Sequence, residues 1–473
     1  MGLIKKIAAV TALTGLLTMA LPVCASAETV EYETQILSEE TTSFYKQWKE
    51  KYLIKNNYVT DKSQYYVWYS EEKYSDSNRT VEVTVSEAHG YGMLIAASMA
   101  DYDTDAKEIF DGMYWFYKDH LSGIGPNLMA WQQCDNGSAI VDAPSGEDSA
   151  TDGDMDIAYA LLMADKVWGS SGDINYRQAA VDVINDIMEY EVNKTDWLLQ
   201  LGDWVYWSDK NDKYYSAARA SDFIVQYMPV FAEVTGDDRW NKVYDSTYAV
   251  INDLTSQYRT GILPDFIIKD SAGKFVPAPA DFLESAYDGY YYYNSCRTPW
   301  RISMDYLING NSNALDFAEM INSFIISSAG GDPWEIKAGY KPDGTPFEDY
   351  NDLCFTAPFL VSAVCGNNNE WYNEVRDVVV NYGDDVYFGD TIKMLCMIVA
   401  DGGWIVPDSE KTVLIGDINL DGSVTLADSV LLQKFLLKKE TFSDEQAKAA
   451  DINNDGAINC FDWILLKRII INL

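Results

Sequence analysis

Apolar residues recur along most of this chain at helical spacing. Between about Gln35 and Val406, seven stretches place Ala, Leu, Met and Ile on one face: Ser86–Asp101, Asp154–Trp168, Tyr176–Val192, Asp222–Thr235, Trp240–Tyr258, Ser312–Ser328 and Asn373–Asn381. Gly, Asp, Asn and Pro separate them, as helix boundaries require. Alternating strand patterns are scarce, and neither GxGxxG nor GxxxxGK[ST] occurs. The pattern predicts an all-α region of roughly ten to twelve helices. A toroid of paired helices with its site on the loops at one end is the expected architecture. Periodicity alone fits a helical solenoid equally well.

The two ends break this pattern. Residues 1–27 run from Lys5-Lys6 through an apolar stretch to Ala25-Ser26-Ala27, the layout of a secretory signal peptide. The apolar run is short for a span of about 20 residues and has Pro22 near its end, which argues against an anchor. Pro22-Val23 before Cys24 is a poor match to lipoprotein processing. Residues 28–406 then form the helical domain and 407–414 a short linker that includes Pro407–Lys411. Residues 415–473 carry a repeat: Asp417-Ile-Asn419-Leu-Asp421-Gly422 returns 34 residues later as Asp451-Ile-Asn453-Asn-Asp455-Gly456. Asp428 and Asp462 stand at the twelfth position of each copy, and Ser423 and Ala457 at the seventh, where a backbone carbonyl serves. Oxygen donors at this spacing around a turn glycine match a calcium loop of the EF-hand type, with the twelfth-position Glu shortened to Asp. An amphipathic helix follows each loop, Ser429–Lys438 and Trp463–Ile471, and no clear helix precedes either.

Charge narrows the chemistry. Over 473 residues the net charge is −38, and loss of the leader with its two lysines makes it −40. So acidic a surface repels phosphate backbones, which disfavours nucleic-acid binding. His89 and His120 are the only histidines, too few for a His-rich metal site and poor support for a Ser-His-Asp triad. Carboxylates are left to do any catalysis, with no catalytic cofactor. Aromatic residues at 14% suit flat, uncharged polar ligands, although many must be core. The six cysteines beyond the leader are scattered without a C-x-x-C pair, and most read as buried thiols.

Three segments concentrate polar residues. In Thr84-Val-Ser86-Glu87-Ala-His89-Gly90-Tyr91-Gly92-Met93, Ser86 is placed to cap a helix with Glu87 in its first turn. Glu87 there serves chemistry or simply the helix dipole; the costly glycines point to a close backbone approach. Ala150-Thr-Asp152-Gly153-Asp154-Met-Asp156 packs three acids before an apolar helix, as a cap or as a binding turn. Asp281-Phe-Leu-Glu284 through Asp288 and Tyr290–Tyr293 to Asn294-Ser-Cys296-Arg297-Thr-Pro-Trp300-Arg301 reads as a polar cleft wall or as aromatic core with a charged flank.

Together S-E-A-H-G-Y-G-M, A-T-D-G-D-x-D-I-A-Y-A-L-L-x-A-x-x-x-W and R-T-P-W-R-I resemble three signatures of glycoside hydrolase family 8, in order and across nearly the whole helical region. The resemblance implies an (α/α)6 barrel that hydrolyses β-1,4-linked glycans with inversion. Carried onto matching positions, it makes Glu87 the general acid and Asp152 a residue that binds and distorts the sugar at the cleavage point. The best-known branch has its base Asp three residues before the first signature arginine, where this chain has Asn294; an amide cannot take the water proton. The chitosanase-containing branch uses a carboxylate just upstream, which nominates Glu284, with Asp281 and Asp288 in reserve. Trp131, Tyr91 and Trp300 are candidate stacking platforms. Arg219, Asp222, Arg297 and Arg301 bind sugar hydroxyls or pair structurally, and Arg297 is the one favoured for substrate.

The C-terminal repeat resembles a type I dockerin, which implies two Ca2+ ions held by Asp417, Asn419, Asp421, Ser423 and Asp428, and by Asp451, Asn453, Asp455, Ala457 and Asp462. Its implied partner is a cohesin, met by Leu426-Ala427 and Cys460-Phe461. The expected protein is a secreted endo-β-glucanase without a membrane span, acting on cellulose-like or mixed-linkage β-glucan. Chitosan and xylan are the alternatives within the family. A polysaccharide-binding module without activity, for which Asn294 is the foothold, and a polysaccharide lyase are the alternatives outside it.

Overall fold

The computed structural model describes residues 37–69, 81–383, 386–407, 415–420, 423–452 and 456–472. The leader, most of the linker, Asp421, Gly422 and Asn453–Asp455 lie outside them. Twelve α-helices occupy the region up to residue 407 among the described residues. They alternate in character. Helices α2 (Ser86–Ser98), α4 (Thr151–Trp168), α6 (Met228–Thr235), α8 (Thr298–Asn309), α10 (Leu353–Cys365) and α12 (Tyr387–Ala400) are buried on nearly every side over most of their length. Helices α1 (Glu39–Tyr52), α3 (Ala106–Asp119), α5 (Tyr176–Asp186), α7 (Arg239–Ser256), α9 (Ser312–Ser328) and α11 (Asn369–Asn381) bury one face only. A helix apolar all round must be enclosed, and an amphipathic one must lie outside it. Each inner helix accordingly packs on an outer one, α1 on α12, α2 on α3, α4 on α5, α6 on α7, α8 on α9 and α10 on α11. The inner ring runs α2–α4, then through the single turns 220–222 and 225–227 that lead into α6, to α8, α10 and α12, and α12 closes on α2. Closure is what separates this (α/α)6 barrel from the solenoid that periodicity also allowed.

The predicted helices lie close to the observed ones. The stretch Asp222–Thr235 is regular α-helix only from Met228, because Asp222 belongs to a tight turn. Tyr176–Val192 ends in a π-helical turn, Ile187–Glu191. Short strands join the scaffold on the loops; Val81–Val85, Gln132–Asp135 and Ile140–Asp142 form a three-stranded antiparallel sheet. Five of the six cysteines described are buried free thiols, and Cys460 is exposed.

The C-terminal repeat has its own core of Ile418, Leu432, Ala449, Ala450 and Leu466. It contains α13 (Leu426–Leu436), α14 (Asp444–Ala450) and α15 (Cys460–Asn472). The expectation that no helix precedes either loop is corrected for the second: α14, opened by a Ser443–Gln446 capping box, leads directly into it.

Candidate functional site

The first turns of the inner helices α2, α4 and α12 and the residue before α8 meet around a cavity of about 300 Å³. Glu87 comes from the start of α2, Asp152 from α4, Arg297 from the residue before α8, and Tyr387 from α12; Arg219, Glu284, Asn294 and Trp131 complete the wall from loops. Two glycines draw the first turns together. A Cβ on Gly153 would stand 2.7 Å from the Ser86 carbonyl carbon, and one on Gly90 2.7 Å from Asp156 Cβ. The close approach inferred from the glycines is thus helix on helix at Gly90, where it sets Glu87 beside Asp152, while Gly92 faces the side chains of Val67 and Met113. Ser86 does not cap α2: Val85 is the capping residue, and Ser86 instead donates its N–H to the Trp131 carbonyl at 2.9 Å.

Arg297 is buried and joins both carboxylates. Its Nη1 donates to Glu87 Oε2, to Asp152 Oδ2 at 3.0 Å and to the Tyr91 hydroxyl at 3.0 Å. Glu87 Oε1 also accepts the Tyr387 hydroxyl at 3.1 Å. Burial pushes the Glu87 carboxyl above the usual range; the guanidinium opposes this, and Asp152 adds to it. One cation shared by two carboxylates leaves Glu87 with reason to hold a proton.

Across the cavity Asn294 does work that explains its amide. Its Oδ1 accepts Arg297 Nη2 at 3.3 Å, while its Nδ2 donates to Glu284 Oε2 at 2.8 Å. A carboxylate could accept the first of these bonds but could not donate the second. Arg219 Nη2 lies 3.4 Å from the other Glu284 oxygen. Glu284 is therefore held by two donors while its side chain stays 45% exposed, open to a water molecule.

The reserve bases are corrected by their surroundings. Asp288 is buried and accepts the N–H groups of Leu283, Glu284 and Ser285 at 2.7–3.1 Å, so it shapes the loop that carries Glu284. Asp281 is exposed and lies outside the cavity lining. Trp300 is corrected too: fully buried, it packs under the Arg301 guanidinium 4.0 Å from its ring and offers no surface for stacking. Tyr91 is equally buried and serves as a hydroxyl partner of Arg297. Arg301 pairs with Asp156 in the core. Asp222 is buried behind the cavity wall; burial, with Asp152 nearby, pushes its carboxyl up to about 7 against the pull of Arg219. Trp131 is half-buried at the cavity edge.

Tyr387 and Asp265 were not found from the sequence. Asp265 accepts the N–H groups of Tyr292, Asn294 and Ser295 and so fixes the turn that presents Asn294; burial pushes it up to about 6. No motif marks either residue, since each acts through a contact between distant segments.

In the C-terminal repeat Asp428 accepts the N–H groups of Ile418 and Asn419 on one oxygen and of Thr425 on the other. Asp462 does the same for Ile452 and Asn459, and Asp451 accepts Gly456 N–H at 2.8 Å, drawing position six back to position one. Carboxylate oxygens keep lone pairs beyond these bonds. The donor set Asp417, Asn419, Asp428, Asp451 and Asp462 is all oxygen, which fits a hard cation. Asp421, Asn453 and Asp455 lie outside the described residues.

A closed barrel of helix pairs with a carboxylate-floored, aromatic-edged cleft defines the class, a glycosidase built from helices. The family model for glycosyl hydrolases family 8 matches residues 19–402, and that for the dockerin type I domain residues 415–471. The chain belongs to glycosyl hydrolase family 8 and ends in a type I dockerin domain. It is 46% identical over 354 residues to a beta-glucanase of Niallia circulans, covering 74% of this chain and 84% of that one. An endoglucanase of Bacillus sp. (strain KSM-330) is 37% identical over 390 residues, with 81% and 80% covered. The apo structure of a beta-1,3-1,4-glucanase from Paenibacillus sp. X4 superposes with a TM-score of 0.70 at 44% identity, over 79% of this chain and 96% of that one.

Proposed function

We propose that this glycosidase is a secreted, inverting endo-β-glucanase whose preferred substrate is mixed-linkage or cellulose-like β-glucan. The observation that carries the mechanism is the placement of Glu87 and Glu284 in one cavity, one raised by burial and the other held by donors. Glu87 protonates the departing glycosidic oxygen. Glu284 takes a proton from a water that attacks the opposite face of the ring, for which inversion needs carboxyls about 6.5–9.5 Å apart. Asp152, anchored by Arg297, receives sugar hydroxyls at the cleavage point, and Trp131 stacks beneath a neighbouring ring. Arg219 holds Glu284, and Asp222 stands behind Arg219, which makes Asp222 a support for the wall. The similarity to beta-glucanases favours glucan over chitosan and xylan.

Reducing-end release from lichenan, carboxymethylcellulose, xylan and chitosan, with the first-formed anomer read by NMR, tests this. Cleavage of lichenan or carboxymethylcellulose giving the α-anomer is expected. A β-anomer first product, or turnover confined to xylan or chitosan, overturns the reading.

The pH profile carries a sign. Asp152 raises Glu87, and the general acid is active while protonated, so the alkaline limb of kcat/KM follows Glu87. Asp152→Asn removes a negative neighbour and lowers the Glu87 pKa. The alkaline limb is then expected to move to lower pH, along with a loss of kcat. A limb that stays in place assigns it to another group.

The dockerin domain has cohesin as its partner class. We place two Ca2+ ions in its loops and assign the cohesin surface to Leu426, 70% exposed, and Phe461, 65% exposed, with Ala427 and Cys460 beside them. Chelation is expected to lower the dockerin's melting transition and to abolish cohesin binding while leaving hydrolysis of soluble glucan unchanged. Calorimetry and a cohesin pull-down check this.

A further inference from the structure

We propose that Asp154 and Glu191 hold a single proton between them, and that this buried pair is the positioning element that fixes Trp131 and Asp152 relative to Glu87. The second half rests on the site reading above; the first stands by itself.

Both side chains are fully buried. One oxygen of each is committed: Asp154 Oδ1 accepts Met129 N–H at 2.8 Å, and Glu191 Oε1 accepts the Ser149 hydroxyl. The remaining oxygens, Asp154 Oδ2 and Glu191 Oε2, have no donor, and the two side chains lie within hydrogen-bonding reach of each other. Among the described residues no Lys or Arg forms an ion pair with either. Two dry carboxylates facing one another repel strongly, and one proton turns the contact into a charge-assisted O–H···O bond. Burial raises both carboxyls well above the usual range, and the neighbouring titratable groups, Asp152, Asp203 and Tyr117, offer no positive charge to reverse that. The π-helical turn Ile187–Glu191 is what brings Glu191 to this place.

The pair sits where the supports of the site converge. Asp154 is one helical half-turn from Asp152. Through Met129 it holds the segment of Trp131, whose N–H donates to the Asp148 carbonyl at 2.7 Å and whose carbonyl receives Ser86 N–H at the start of α2. Through Ser149, Glu191 holds the chain entering α4, and Asp203 secures the same residue by accepting its N–H at 2.8 Å. Trp131, Asp152 and Glu87 are thus tied to one buried bond.

Amide replacement distinguishes a shared proton from two independent groups. In Glu191→Gln the amide nitrogen donates to the Asp154 carboxylate, and in Asp154→Asn the roles reverse, so either single variant preserves the bond. In the double variant both amide oxygens are already committed, which leaves two NH2 groups facing each other with no acceptor. Each single variant is expected to keep kcat/KM on lichenan within about threefold and its melting temperature near that of wild type, and to lose a protonated-carboxyl band from the infrared difference spectrum. The double variant is expected to melt well below both, or to fail to fold where both fold, and if folded to lose at least about tenfold in kcat/KM at a temperature below its transition. A double variant as stable and active as the singles, or an infrared spectrum unchanged in Glu191→Gln, overturns the shared proton. If the infrared and melting results hold while the folded double variant keeps its kcat/KM, the positioning role is overturned.

Discussion

Glu87→Gln is expected to lower kcat on polymeric glucan by about 10²–10⁴-fold, with KM little changed and the fold intact. The amide matches the carboxyl in size; its oxygen still accepts from Arg297, and its NH2, in place of the other oxygen, donates to the Tyr387 hydroxyl, so binding geometry survives. What disappears is the acidic proton, and the sugar must then leave as an alkoxide. A substrate with an acidic phenol as leaving group needs no such proton, and on it the variant should recover most of the wild-type rate. Glu284→Gln is expected to lose a comparable factor on both substrates, because attack by water needs a base whatever leaves. The pair of substrates therefore separates acid from base. Equal loss on both substrates in Glu87→Gln would remove Glu87 from the acid's role, and an active Glu284→Gln would leave the base unassigned, since Asp281 and Asp288 are excluded by their surroundings. Steady-state kinetics on lichenan and on an activated aryl β-glucoside oligomer read both outcomes.

The largest effect on stability is expected from Asp156→Ala. Asp156 and Arg301 are both fully buried; Arg301 Nη1 donates to Asp156 Oδ1 at 2.9 Å, Nη2 donates to Oδ2, and the Tyr227 hydroxyl donates to Oδ1 at 3.0 Å. Removing the carboxylate leaves a guanidinium with no counter-charge between Trp300 and Tyr91. Breaking such a pair costs about 3–5 kcal/mol, most of it the desolvation of the abandoned partner. The melting temperature is expected to fall by roughly 5 °C or more. The double variant Asp156→Leu/Arg301→Met, which removes both charges, should be markedly more stable than Asp156→Ala. A double variant no better than the single would show that the pair's geometry, not its uncompensated charge, carries the stability. Differential scanning calorimetry on the three proteins decides.

The acid triplet at the start of α4 shows how far the sequence reaches. Asp152, Asp154 and Asp156 stand two residues apart in one motif, and nothing in their spacing ranks them. In the structure the first meets Arg297 at the cavity, the second meets Glu191 in the dry interior, and the third pairs with Arg301 in the core. Residues two apart on a helix point in directions about 200° apart, so a compact motif is divided among three environments. Asn294 is a comparable case. Its identity excluded it as base, but its donation to Glu284 emerges only when the loop is folded. Trp300 and Tyr91 are candidate platforms by sequence, and burial decides otherwise.

Helix periodicity, the turn residues and the tandem Asp-x-Asn-x-Asp-Gly loops are local properties, written at spacings of three to twelve residues, and the chain alone determined them: a helical domain, an appended calcium-loop repeat, and the segments that hold the acids. Ring closure, the convergence of the inner helices' first turns, the burial that raises Glu87 and the partners of each carboxylate join residues as far apart as Glu87 and Tyr387. Those depend on packing and desolvation, which act through space, and only the tertiary structure decided them.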